Sequence, residues 1–126
     1  MMFVPTVLLP STAFSSADVF SNPQQLYFLS GYCVQAIWTG AAIVGTVKLQ
    51  ASLNYSPGGT LLPGSNGSPA NAGTWDDIVG STQTVSGPGS WMYNVWPAMY
   101  PWFRVYYTYT SGTGTVSALC VAKGGV

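Results

Sequence analysis

Apolar and polar residues alternate along much of this chain with a period of two, and almost nowhere with the period of a helix. In "TVKLQAS" (residues 46–52) Val47, Leu49 and Ala51 alternate with Lys48, Gln50 and Ser52, as a strand with one wet face requires. In "YCVQAIW" (residues 32–38) Tyr32, Val34, Ala36 and Trp38 share one face, while Cys33, Gln35 and Ile37 make the other mixed. That strand is a candidate for cover on both sides. Runs of Val, Ile, Thr, Tyr and Trp predict further strands over residues 4–9, 24–29, 77–79, 83–85, 90–95, 103–110 and 115–122. About eight or nine short strands, with turn residues every ten positions or so, predict an all-β fold. The specific expectation is a single antiparallel β-sandwich, jelly-roll-like.

Three stretches interrupt the strand pattern. "SGTGT" (residues 111–115) lies between two strands and is followed by neither a helix nor a Lys-Ser/Thr pair, so it lacks the parts of a phosphate loop. It predicts a tight hairpin, with Gly112 and Gly114 supplying positive φ. Residues 54–73 are dominated by Gly, Pro, Ser and Asn and form a long loop. Leu61 and Leu62 sit oddly in it, and are expected to dock on this domain or on a neighbouring chain. Residues 1–10, "MMFVPTVLLP", read as an extended arm that could add a strand to a neighbour's open sheet edge. No internal repeat and no linker divides the chain, so residues 1–126 are one domain.

Charge changes the picture most. Only 5% of residues are charged, against about 25% in ordinary soluble domains. They are Asp18, Asp76, Asp77, Lys48, Arg104 and Lys123, with no His and no Glu, and the net charge is zero. Such a chain has no field to steer it to nucleic acid. No apolar run approaches the roughly 20 residues of a spanning helix, and the N-terminus lacks the basic region of a signal peptide. Without His or Glu, the usual acid–base and nucleophilic arrangements are absent, so no enzyme activity, metal centre or cofactor is expected. Asp76 and Asp77 are the only close carboxylates; on a strand they point to opposite faces, and loop carbonyls could join either around a calcium ion. Cys33 and Cys120 have no metal-ligand spacing and read as two small buried thiols, with a single bridge between strands left open.

Aromatics are what remains. Trp91, Tyr93, Trp96, Tyr100 and Trp102 crowd a dozen positions. Trp91 and Tyr93 share a strand face and read as core or interface. "VWPAMYPW" (residues 95–102) is a Pro-bounded corner whose Trp96, Met99, Tyr100 and Trp102, with Leu61 and Leu62, are the candidate protein-interface residues. Exposed rings at this corner are also the candidate platform for a glycan.

Four segments in order, "GYCVQAIWTG", "GTVKLQAS", "TWDDIVGSTQTVSGPGSWMYNV" and "FRVYYTYTSGTGTVSALCVAKG", resemble a family of small virion proteins of tailed and related phages. The family's central loop is a short Asn/Asp-Gly turn before the Trp, whereas here it is expanded to residues 54–73. The resemblance implies a β-sandwich with a structural place on a bacteriophage virion, as capsid decoration, fibre base, spike or accessory. Its partners would be other copies of itself and other virion proteins, assembled in the host cytoplasm. Composition points the same way, since a nearly chargeless, apolar surface suits burial in a symmetric assembly.

Overall fold

The computed structural model describes residues 5–26, 30–58 and 70–123. Its strands are β1 (Thr6–Phe14), β2 (Val19–Phe20), β3 (Gln24–Gln25), β4 (Gly31–Thr39), β5 (Val44–Ser52), β6 (Asp76–Asp77), β7 (Gln83–Ser86), β8 (Gly89–Val95), β9 (Trp102–Ser111) and β10 (Gly114–Lys123). They build two antiparallel sheets. The first has the order β1-β10-β4-β8; the second has β9 and β5 at its centre, with β2 and β3 sharing one edge and β6 and β7 the other.

Counting each shared edge as one row leaves eight rows in chain order. Rows one and eight, two and seven, three and six, and four and five are paired. This is the ladder of one long hairpin. The contacts β10–β4 and β9–β5 then roll that hairpin into two facing sheets, the jelly-roll-like sandwich the strand pattern predicts.

Burial follows the predicted alternation through β4 and at Val47 and Leu49 of β5, but at the end of β5 Ala51 is only half-buried while Gln50 and Ser52, on the face expected to be wet, are buried. Tyr32, Val34, Ala36 and Trp38 of β4 and Val116, Ala118 and Cys120 of β10 point inward, toward Val47 and Leu49 of β5 and Phe103, Val105 and Tyr107 of β9. Rings bind the layers together. Tyr32 stacks on Phe103 across the sandwich at 3.8 Å between centroids, and Phe14 stacks on Tyr107 at 4.5 Å. Stacked pairs of this kind add to the stabilisation that burial alone gives.

The hairpin expected at residues 111–115 is not there. β9 belongs to the second sheet and β10 to the first, and each pairs with other strands. The turn is an arch that carries the chain between layers, so the inward faces of its two arms meet across the core. Gly112 takes a φ of +92° as expected, but Gly114 does not adopt positive φ. Gly114 is required by close approach instead: a Cβ there would collide with the Thr39 carbonyl oxygen. The β4–β5 connection is a second arch at the same end, and the two arches touch backbone to backbone. A Cβ on Gly112 would stand 2.6 Å from the Ala42 oxygen, and one on Gly40 would stand 2.7 Å from the Thr113 oxygen.

Other expectations shift at the ends. β1 runs through Pro10 to Phe14, its register broken between Val7 and Leu9 and again between Leu9 and Thr12; bulges let an edge strand hold a proline. Of the expected arm, Thr6, Val7 and Leu9 are therefore paired within this chain's own first sheet, and residues 1–4 lie outside the described residues. Of the strand expected over residues 24–29, Gln24–Gln25 is strand and buried Leu26 follows it, while residues 27–29 lie outside the described residues. β2 has no counterpart among the expected strands. The long loop is closed at its base, where Ser56 and Asn71 exchange two backbone hydrogen bonds of 2.9 and 2.8 Å.

Candidate functional site

The two outer faces of the sandwich differ in chemistry. On the second sheet, Lys48, Gln50 and Arg104 point outward. Arg104 Nε donates to Gln50 Oε1 at 2.9 Å, Gln50 Nε2 donates to Asp77 Oδ1 at 3.0 Å, and Lys48 pairs with Asp77 at 3.0 Å. The Gln50 amide first, and the Lys48 ammonium second, hold the Asp77 carboxyl below its ordinary value. Arg104 also lies over the rings of Trp75 (4.4 Å), Phe20 (4.7 Å) and Tyr106 (5.3 Å), so its charge is met by π-faces. Asp18 accepts from the Tyr106 hydroxyl and the Tyr109 backbone N–H, both at 2.8 Å, and ties the β1–β2 connection to β9. The Asp18 hydrogen bond, then burial, raises the Tyr106 hydroxyl above its ordinary value.

The first sheet is the opposite. Its only charged residue is Lys123, the last of β10 and on the rim. Register places three rows across the outer face: Val7–Leu119–Gln35–Met92, Ser117–Ile37–Ser90 and Val121–Cys33–Asn94. Val7 is 63% exposed and Met92 59%, with Ile37 and Leu119 exposed between them. Four exposed apolar side chains thus lie among Gln35, Ser117, Ser90 and Asn94 on a face that carries no charge.

The two thiols fall on opposite sides of this sheet. Cys120 is opposite Val34 and faces the core, while Cys33 is opposite Val121 and faces out. They cannot meet, and both are free. Burial raises both thiols above their ordinary value, Cys33 also through Cys120.

The Pro-bounded corner is divided. Trp96 is 61% exposed and Met99 84%. Trp96 also packs so closely over Gly31 that a Cβ there would overlap its ring. Tyr100 is half-buried instead, its hydroxyl sharing a 2.7 Å hydrogen bond with that of Tyr32. Burial first and this bond second push the Tyr32 hydroxyl far above its ordinary value. Trp102 is half-buried, edge-on to Tyr55 at 4.8 Å. Leu61 and Leu62 lie outside the described residues. Beside the corner, Met99, Tyr100, Leu53, Asn54, Thr74 and Asp76 line an open groove of about 520 Å³. Asp76 and Asp77 thus serve different surroundings, as consecutive strand residues must.

No family model matches the chain, and no curated protein does. Among solved structures, that of the SPBc2 prophage-derived protein YomS is similar to it, with 11% sequence identity, a TM-score of 0.45, and coverage of 95% of this chain and 96% of that one.

The uncharged face was not among the sequence-derived candidates, although its signal was there. β4 and β10 carry apolar residues on both faces: Ile37 opposite the buried set of one strand, Leu119 and Val121 opposite that of the other. Only the pairing of β1 and β8 beside them shows that these positions fall on one surface.

Proposed function

We propose that this protein is a non-enzymatic structural component of a bacteriophage virion, held in place by burial of the uncharged outer face of its first sheet against other virion subunits. The observation that carries the reading is the segregation of charge: the second sheet and its flanks hold five of the six charged side chains, and the first sheet keeps one at its rim. A monomer with such a face would be prone to stick, whereas a lattice subunit would bury it. Four strands about 4.8 Å apart and some nine residues long give a face on the order of 500 Å² in plan, near the roughly 500 Å² per partner that a specific interface needs. The ordered resemblance to small phage virion proteins supplies the virion context.

The test is quantitative mass spectrometry on purified particles of the phage that carries the gene. A stoichiometric copy number is expected, lost in Leu119→Lys while the variant folds normally. Absence of the chain from particles would remove the proposal.

The exposure of Trp96 favours a second reading, a carbohydrate-binding module using the corner and its groove. It predicts glycan-array binding that is lost in Trp96→Ala with assembly intact.

A further inference from the structure

A β-sandwich has four sheet edges, and an unprotected edge is a template for another strand. Three of the edges here are interrupted. β1 contains Pro10 and two register breaks. The β2/β3 edge is broken at Ser21, whose hydroxyl accepts the Val105 N–H at 3.1 Å, and the β6/β7 edge is broken at Ser81, whose hydroxyl accepts the Leu49 N–H at 3.1 Å. The fourth edge, β8, is unlike them. It matches β4 one to one over seven residues without a shift, and contains neither proline nor charge. Pro88 and Pro97 bound it on either side.

We propose that β8 is the site at which a second copy of this chain adds, antiparallel, about a two-fold axis through Met92. The sequence of β8 is self-complementary about that residue. Antiparallel pairing centred there sets Gly89 opposite Val95, Ser90 opposite Asn94, Trp91 opposite Tyr93, and Met92 opposite itself. On the inward side, aromatic meets aromatic, a favoured cross-strand pair. Trp91 and Tyr93 are already stacked within one copy at 5.6 Å and only half-buried, so the partner's rings extend an existing stack. On the outer side, small polar residues meet each other and two exposed methionines meet on the axis. No like charges are brought together, and a two-fold axis requires this kind of self-matching. The product is one eight-stranded sheet across two copies, its uncharged outer face continuous and doubled in area.

This inference rests on the assembly reading only in that both use uncharged surface; it concerns the edge, not the face. The experiment is native mass spectrometry of the full chain and of Met92→Glu and Met92→Lys, singly and mixed. Wild type is expected to be a dimer. Either variant alone places like charges on the axis and should weaken the dimer at least about tenfold. The mixture should restore a one-to-one heterodimer, an outcome a misfolded variant could not give. Leu119→Lys, on the face, should leave the dimer intact. A monomeric wild type, a dimer indifferent to both Met92 substitutions, or failure of the mixture to reassociate would overturn the proposal.

Discussion

Tyr107 carries the one buried side-chain oxygen that finds no hydrogen-bond partner among the described residues. Its ring is well used, stacked on Phe14, but its hydroxyl is held under Gly45, where a Cβ would come within 2.7 Å of it. An unsatisfied buried hydroxyl costs about 1–3 kcal/mol. Tyr107→Phe keeps the ring and removes that cost, so it should stabilise the fold by about 1 kcal/mol and raise Tm by roughly 4 °C. A lower melting temperature would show that the hydroxyl is paired. Asp77 supplies the pH dependence of the second sheet. Its carboxyl is lowered in the fold, so its stabilising contribution is complete above the ordinary value of 3.8 and is lost as pH falls through the lowered value. Asp77→Asn should therefore flatten the acid limb of a stability–pH curve measured by urea unfolding. An unchanged limb would mean that the Gln50 and Lys48 contacts do not bias the protonation of Asp77.

At the scale of elements, what the chain reveals and what it hides separate clearly. The alternation in β4 names its inward residues completely and that in β5 names Val47 and Leu49, because period-two burial is a local property; at the end of β5 it fails, Ala51 being less buried than Gln50 and Ser52. Whether a turn joins neighbours in one sheet or crosses between two is not local, and "SGTGT" looks the same in either case. The arch is decided by which strands β9 and β10 pair with elsewhere. Gly112→Ala should consequently be far worse than Gly87→Ala. Both have positive φ, but the first also drives a methyl to 2.6 Å from the Ala42 oxygen, whereas the second meets its nearest neighbour at 3.7 Å. Thermal melts should show Gly87→Ala costing about 1 kcal/mol and Gly112→Ala at least twice that; equal losses would contradict the packed-arch description.

The serine breaks were equally unreadable, since a lone serine between strands signals only a turn. In the fold, Ser21 and Ser81 lie at opposite ends of one row, Ser21–Val105–Leu49–Ser81, and each hydroxyl replaces the strand that stops there. Ser81→Ala strands the buried Leu49 N–H and should cost about 2 kcal/mol, with faster amide exchange at Leu49; unaltered exchange would rule out this role.

For the whole molecule, composition leads to the expectation of burial in an assembly without saying which surface would be covered. Of the corner residues that the sequence singles out, Trp96 and Met99 are exposed, whereas the fold partly consumes Tyr100 and Trp102 in bonds and stacks of its own. The uncharged face is not legible in the sequence because its residues come from four strands far apart along the chain, and each alone is an ordinary Val, Ile, Leu or Met. Under the proposed function this face, not the charged one, would hold the protein in an assembly. Sedimentation velocity of wild type and Leu119→Lys over a range of concentrations tests it most directly. Wild type should form species larger than a dimer as concentration rises, and Leu119→Lys should stop at the dimer with its melting temperature unchanged. Identical distributions for the two proteins would contradict the claim.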